Sequence, residues 1–216
     1  MVKISPSILG ADFSDLRMAL KEIEAAGADS IHFDIMDRHY VPNLTFGPML
    51  LKALRPHTEL PFSVHLMVDQ PDLYLDELAK YGAETITVHS EAATHLRRTL
   101  SYIRSLGVKA GVSVNPATPL SFYKYVADIT DEVLIMTVNP GFSGQANIPL
   151  AMQKIAEIKE LSAGRALEIN VDGGINRTNG ATAIALGATT LVMASAFFNE
   201  DAAGKLDLVN TLKKIK

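Results

Sequence analysis

One phrase recurs along the chain: the tail of a helical pattern, a glycine, a small or branched residue, then an apolar run rich in β-branched residues. It is spelled AAGADSIHFDI, KYGAETITVH, SLGVKAGVSV and ALGATTLVMA. The glycines are Gly27, Gly82, Gly107 and Gly187, each suited to the left-handed cap that ends a helix. Their separations of 55, 25 and 80 residues are close to two, one and three copies of a unit about 27 long. Eight such units fill the 216 residues, so the expected fold is α/β, a single (β/α)8 TIM barrel over residues 1–216. Its strands are expected to begin near Ile4, Ser30, Phe62, Thr85, Lys109, Val133, Leu167 and Thr190. Between the first two, Leu16, Ala19, Leu20 and Ile23 repeat at helical spacing behind Ser14, a candidate cap. Pro48, Pro71 and Pro119 fall where helices should start. A doubly wound open sheet is the runner-up, weakened because no GxGxxG opens the first strand–helix unit.

Composition narrows the chemistry. The absence of cysteine excludes disulfides, thiolate nucleophiles and thiolate metal ligands. A net charge of −4 argues against nucleic acid, and the basic cluster Lys213, Lys214 and Lys216 reads as a solvated helix end favoured by the helix dipole. The start, MVKISPSIL, has no long apolar segment, so no signal peptide and a cytoplasmic location are expected. The uncharged stretch Thr178–Asn199 is broken by Asn179, Gly180, Gly187, Thr189 and Thr190, which makes it a helix and a strand of the interior and no membrane span. The Asn-x-Thr sequons at Asn43 and Asn176 then carry no glycan.

The strand ends are where such a barrel keeps its chemistry. They offer Ser7; His32 and Asp34; His65; His89 and Glu91; Asn115; Asn139 to Gly144; Asp172 to Gly174; and Ser195. Side chains alternate along a strand, so His32 shares a face with Asp34, and His65 with Met67. His32, Asp34, His65 and Asp172 thus converge at one mouth as a candidate divalent-metal site. Nitrogen and oxygen ligands without sulfur suit zinc, iron(II) or manganese. After the last three strands, NPGFSGQ, VDGG and MASA supply Gly141, Gly144, Gly173, Gly174 and the Ala194–Ser195 backbone, an expected anion cradle. His39, His57 and His95 lack such company and read as structural.

These stretches carry a resemblance. ISPSILGADF, HFDIMDRHYVPNLTFGP, VHLMV, NPATPL, MTVNPGFSGQ and VDGGI are similar to the ribulose-phosphate 3-epimerase family along nearly the whole chain, the second being long and irregular enough to be highly specific. The resemblance implies that His32, Asp34, His65 and Asp172 hold one divalent ion per subunit, among zinc, iron(II), manganese and cobalt. It makes Asp34 and Asp172 the acid/base pair and implies a homo-oligomer, dimer or hexamer. It places Met36, Met67 and Met136 beneath the reacting carbons, although methionines also serve as adaptable core filler. The expected substrate contacts are Ser7, His65, Met36, Met67, Met136, Gly141, Phe142, Ser143, Gly144, Gly173, Gly174, Ala194 and Ser195. His89 and Glu91 match a His-x-Glu pair of the family, placed behind the ligands.

An independent chemical argument agrees. Inverting a carbon beside a ketone needs a proton removed from one face and one returned to the other, which two opposed carboxylates can do. The enediolate between the steps carries charge that a metal stabilises. The implied reaction interconverts D-ribulose 5-phosphate and D-xylulose 5-phosphate; alternatives are a six-carbon ketose phosphate such as D-allulose 6-phosphate, and a non-catalytic sugar-phosphate-binding barrel. A phosphate-binding decarboxylase would want a lysine between aspartates at the mouth, and none is there. The chain departs from the family pattern at Arg38, Ser90, Ser143, Asn147, Asn170 and Ala194. Asn170 stands where an acidic residue is usual, and Ala194 where a phosphate-site glycine is. Alanine keeps the amide donor but disfavours positive φ by roughly 1 kcal/mol.

Overall fold

All four glycines of the recurring phrase take positive φ in the computed structural model, which describes residues 1–215. Gly187 shows why. At φ 116° it caps its helix, and its amide reaches back to the carbonyls of Ala183 and Ile184. The chain can then turn at once into the next strand.

The strands are β1 (Lys3–Pro6), β2 (Ile31–Met36), β3 (Phe62–Met67), β4 (Ala83–His89), β5 (Lys109–Val114), β6 (Glu132–Met136), β7 (Glu168–Asp172) and β8 (Thr190–Met193). The helices are α1 (Leu16–Ala25), α2 (Pro48–Leu54), α3 (Leu75–Lys80), α4 (Leu96–Ser105), α5 (Gln153–Leu161), α6 (Arg177–Leu186), α7 (Ser195–Phe198) and α8 (Ala202–Lys213). All neighbouring strands pair in parallel, in the order β1-β8-β7-β6-β5-β4-β3-β2. The fold is therefore the expected TIM barrel. The unit after β5 departs from the repeat, with a 3₁₀ segment, Leu120–Tyr125, behind Pro119 instead of an α-helix. No helix among the described residues is long and apolar enough to cross a membrane.

The seam between β1 and β2 closes the barrel differently from the others. Its backbone ladder is reduced to one bridge, Ser7 to His32. Other contacts hold the rest: the Ile4 amide donates to Asp29 Oδ2 at 2.8 Å, the Asp29 amide to the Ile4 carbonyl at 2.9 Å, and Ser30 Oγ to Ser5 Oγ at 2.7 Å. Lys213 belongs to this seam. Its Nζ lies 2.8 Å from both Asp29 Oδ1 and the Gly27 carbonyl, so it is a tether and not the solvated terminus its charge suggested. Lys214 is exposed, and Lys216 lies outside the described residues. Ser14 also corrects the sequence reading. Asp15 caps α1 by accepting from the Met18 amide, while Ser14 donates to Asp12 in a preceding 3₁₀ turn. A carboxylate is the stronger acceptor for a helix start.

Alternation divides the strands cleanly. Ile31, Phe33 and Ile35, with Val64, Leu66, Ile86 and Val88, join the core under the helices. The opposite faces carry Ser5, His32, Asp34, Ser63, His65, Thr87, His89, Ser113, Glu132 and Asn170, all buried. The lumen is thus largely polar, and some of its groups pair while Ser113 Oγ and Asn170 Oδ1 have no hydrogen-bond partner. Thr87 Oγ1 donates to Glu132 Oε1 at 2.7 Å, and burial raises the Glu132 carboxyl above its ordinary range.

That contact needs a glycine beside it. Gly111 pairs with Thr87 across β4 and β5, and an added Cβ would lie 2.9 Å from Thr87 Cβ and closer still to Oγ1. Gly111→Ala should therefore cost about 1–3 kcal/mol through overpacking. Urea unfolding checks this; a change under about 0.5 kcal/mol would mean that Thr87 turns aside freely.

Candidate active site

Parallel pairing sets Asp34 opposite His65 and Met36 opposite Met67, so two strand ends deliver matched polar and soft apolar layers. β7 ends in Asp172, opposite Met136 of β6. One donor atom each from His32, Asp34, His65 and Asp172 lies within 4.8 Å of all the others. His65 Nδ1 is 3.1 Å from Asp34 Oδ1 and 3.8 Å from Asp172 Oδ2, and His32 Nε2 is 3.4 Å from Asp34 Oδ1. His32 Nε2 is buried and makes no hydrogen bond. Two inward imidazoles and two carboxylates, one with a buried nitrogen lacking a partner, fit a divalent cation of the nitrogen- and oxygen-loving kind.

Burial works against the ionised form at each position, and the neighbours decide the outcome. At Asp34 burial is outweighed by the His32 charge close by and by the His65 contact, leaving its carboxyl well below the usual range. At Asp172 burial and the Asp34 charge act together and push the carboxyl up to about 7. At His65 burial prevails over the Asp34 hydrogen bond and brings the imidazole down to about 4. At His32 the attraction of Asp34 overcomes burial and the imidazole is raised. The two carboxyls are thus shifted in opposite senses, the separation expected of a base and an acid. Asp172 also keeps 17% of its side chain exposed, against 5% for Asp34, so it is the carboxylate nearer the open mouth.

Above these groups is a cleft with about 490 Å³ of empty space, its mouth included. Of the expected substrate contacts it is lined by Met36, Met67, Met136, Gly141, Phe142, Ser143, Gly144, Gly173, Gly174, Ala194 and Ser195, together with Asp34 and Asp172. Ser7 and His65 stand behind that wall. Ser7 Oγ donates to Asp34 Oδ2 and also accepts from the Leu9 amide at 3.2 Å. His39, His57 and His95 are exposed and do not line this cleft. Leu9, Val138, Pro140, Ile175 and Val192 also line the cleft, but as apolar residues they carried no chemical signal.

The glycines allow the loops to close on one another. A Cβ on Gly174, at φ 64°, would lie 2.8 Å from the Asn147 amide nitrogen, and one on Gly173 would lie 2.7 Å from Val138 Cγ2. Ala194, by contrast, sits at φ −101°, so alanine there incurs no left-handed penalty. It precedes the short helix α7. The β6 loop is braced by Gln145 Nε2, which donates at 2.9 Å to the carbonyls of Asn139 and Phe142. Asn43 Nδ2 donates to the Gly141 carbonyl at 2.8 Å, so the first sequon is a loop brace; Asn176 caps α6.

Residues 3–198 match the ribulose-phosphate 3 epimerase family. The ribulose-phosphate 3-epimerase of Bacillus subtilis is 47% identical over 203 residues, covering 93% of this chain and 94% of that one. The Escherichia coli protein of the same name is 47% identical, covering 91% and 89%. The chloroplastic ribulose-5-phosphate-3-epimerase of Arabidopsis thaliana is 45% identical, covering 99% and 75%. A solved tryptophan synthase α-subunit from Pyrococcus furiosus superimposes with a TM-score of 0.69 at 16% identity, covering 99% and 96%. That likeness speaks to the fold alone.

If the four side chains hold an ion together, His65→Ala should lower zinc affinity by at least about 100-fold, more than is usual for losing an outer hydrogen-bond partner. The barrel should still fold. Elemental analysis beside circular dichroism checks both, and a folded variant with full metal content would remove His65 from the ligand set.

Proposed function

The chain belongs to the ribulose-phosphate 3-epimerase family, and on that premise we propose that it interconverts D-ribulose 5-phosphate and D-xylulose 5-phosphate by inverting C3. The observation that carries this reading is the pair Asp34 and Asp172, which line one cleft from β2 and β7 with their carboxyls shifted in opposite senses. The ionised Asp34 takes the C3 proton from one face of the ketose. Asp172 acts as the acid and returns a proton to the opposite face. The two roles exchange in the reverse direction, so each turnover leaves the pair ready for the other substrate.

His32, Asp34, His65 and Asp172 would hold the divalent ion, whether zinc, iron(II), manganese or cobalt. The ion, when bound, supplies Lewis-acid stabilisation for negative charge developing on the substrate oxygens. Met36, Met67 and Met136 form a polarizable apolar floor, each nearly fully buried. Backbone amides around Gly173, Gly174 and Ser195, residues that line the cleft, would receive the phosphate. The loop from Gly141 to Gln145 closes over it and keeps water from the intermediate. Ser143 is exposed on that loop and adds a hydroxyl within the lining. A homo-oligomer, dimer or hexamer, belongs to this reading, and sedimentation checks it.

In deuterated water the product should gain deuterium at C3, because each carboxylate exchanges its proton with solvent between turnovers. NMR of C3 during turnover reads this directly; inversion without any deuterium after many turnovers would defeat the two-carboxylate assignment. Asp172→Asn should lose about 10²–10⁴-fold in rate, with metal content measured in parallel.

Side-by-side kinetics on five- and six-carbon ketose phosphates should favour the pentulose. A preference for D-allulose 6-phosphate would move the substrate, and binding without turnover would make the barrel a sugar-phosphate sensor.

A further inference from the structure

The loop after β2 touches three other strand ends at the mouth, yet neither proton transfer uses it. Its base is a short antiparallel bridge, Asp37 to Leu44, and the Arg38 amide donates to the Asn43 carbonyl at 3.0 Å. Thr45 ties that base to the strand carrying Asp34. Its Oγ1 donates to the Asp34 carbonyl at 2.7 Å and accepts from the Met36 amide at 3.0 Å. The Asp37 carboxylate accepts from the amides of His39 and Tyr40 and, from beyond β3, from that of Asp69 at 2.7 Å. Arg38 sits at φ 63°, the one non-glycine residue at positive φ among the described residues. A loop held in so disfavoured a conformation depends on its contacts.

Two sets of contacts fix its tip. On one side Asn43 Nδ2 donates to the Gly141 carbonyl at 2.8 Å. Pro42 and Val41 pack beside Gly141, where an added Cβ would meet them at 3.4 and 3.6 Å. Val41 is buried with Met36 and Met67. On the other side Tyr40 lays its ring against that of His89, centroids 4.7 Å apart, and its hydroxyl accepts from Asn115 Nδ2 at 2.8 Å. Burial and the Glu91 charge raise the phenol above its ordinary range, which keeps it a hydroxyl. Asn115, just beyond β5, is itself held. Its amide donates to Glu91 Oε1 at 2.9 Å, and its carbonyl accepts from Lys154 Nζ at 2.9 Å. Lys154 belongs to α5, the helix that follows the β6 loop. The contacts thus run from one end of the β6 loop to the other, through Gly141, Asn43, Tyr40, Asn115 and Lys154.

We infer that Tyr40 is a positioning residue, whose hydroxyl pins the 37–44 loop to Asn115 and so holds the wall against which the β6 loop closes. Without that hydroxyl the tip is free on one side, and the Gly141 carbonyl loses a fixed partner. The effect on substrate affinity rests on the proposed function; the coupling of the two loops does not.

Tyr40→Phe keeps the ring on His89 and removes only the hydroxyl. Asn115→Ala breaks the same bond from the other side. Each should raise KM for D-ribulose 5-phosphate about 3–10-fold, the scale of one hydrogen bond, and change kcat less than about 2-fold. The double variant should be no worse than the weaker single one, because both remove one interaction. Hydrogen exchange read by mass spectrometry on the full-length protein without substrate should quicken in residues 38–43 and 141–145 and stay unchanged in the core strands. Exchange that quickens in 38–43 alone, quickens equally everywhere or does not change would overturn the inference, and so would an unchanged KM or fully additive losses. Tyr40→Phe decides alone if the Asn115 variant does not fold. If the unaltered protein epimerises no ketose phosphate, the proposed function falls and the exchange pattern alone decides the role of Tyr40.

Discussion

The Asp34 carboxylate is held from three strands at once. Ser7 at the end of β1 donates to Oδ2, while His32 on β2 and His65 on β3 face Oδ1 at 3.4 and 3.1 Å. A carboxylate this deeply buried costs several kcal/mol to ionise unless partners surround it. The partners are the same groups that close the β1–β2 seam, where Ser7 and His32 make the one ladder bridge. Barrel closure and the candidate chemistry therefore depend on one cluster, and a change at Asp34 disturbs both.

From that cluster the field spreads asymmetrically. Asp34 takes the attraction of the imidazoles, and Asp172 is left with burial and a neighbouring negative charge. Two identical functional groups at one mouth are thus shifted in opposite senses. Supporting them is a lumen of hydroxyls, an amide and the buried Glu132, which makes it polar well below the cleft. Around the rim, Asn43 and Gln145 brace the β6 loop so that glycines supply close approach without leaving it unsupported.

Much of this was legible in the sequence because it follows from period and alternation. Four capping glycines set the barrel, and a period of two put His32 with Asp34 at one strand end. The motif HFDIMDRHYVPNLTFGP carried the family. What stayed hidden has physical reasons. The Lys3–Glu168 pair at 2.7 Å stayed hidden because it joins β1 to β7, 165 residues apart in sequence. Lys213 read as a solvated end because its partners, Asp29 and Gly27, come from the opposite end of the chain. That Ser7 donates to Asp34 Oδ2 also stayed hidden, because the contact crosses from the end of β1 to β2, 27 residues on. The concern over Ala194 dissolved once its φ was known, a quantity that residue identity alone does not give.

The central claim is that His32, Asp34, His65 and Asp172 form one cation site shared by the acid and the base. Anomalous diffraction from crystals grown with manganese tests it most directly. The expected result is a single strong peak per subunit within about 2.0–2.3 Å of a donor atom from each of the four side chains. A peak elsewhere, or one that leaves Asp34 or Asp172 beyond bonding distance, would contradict the account.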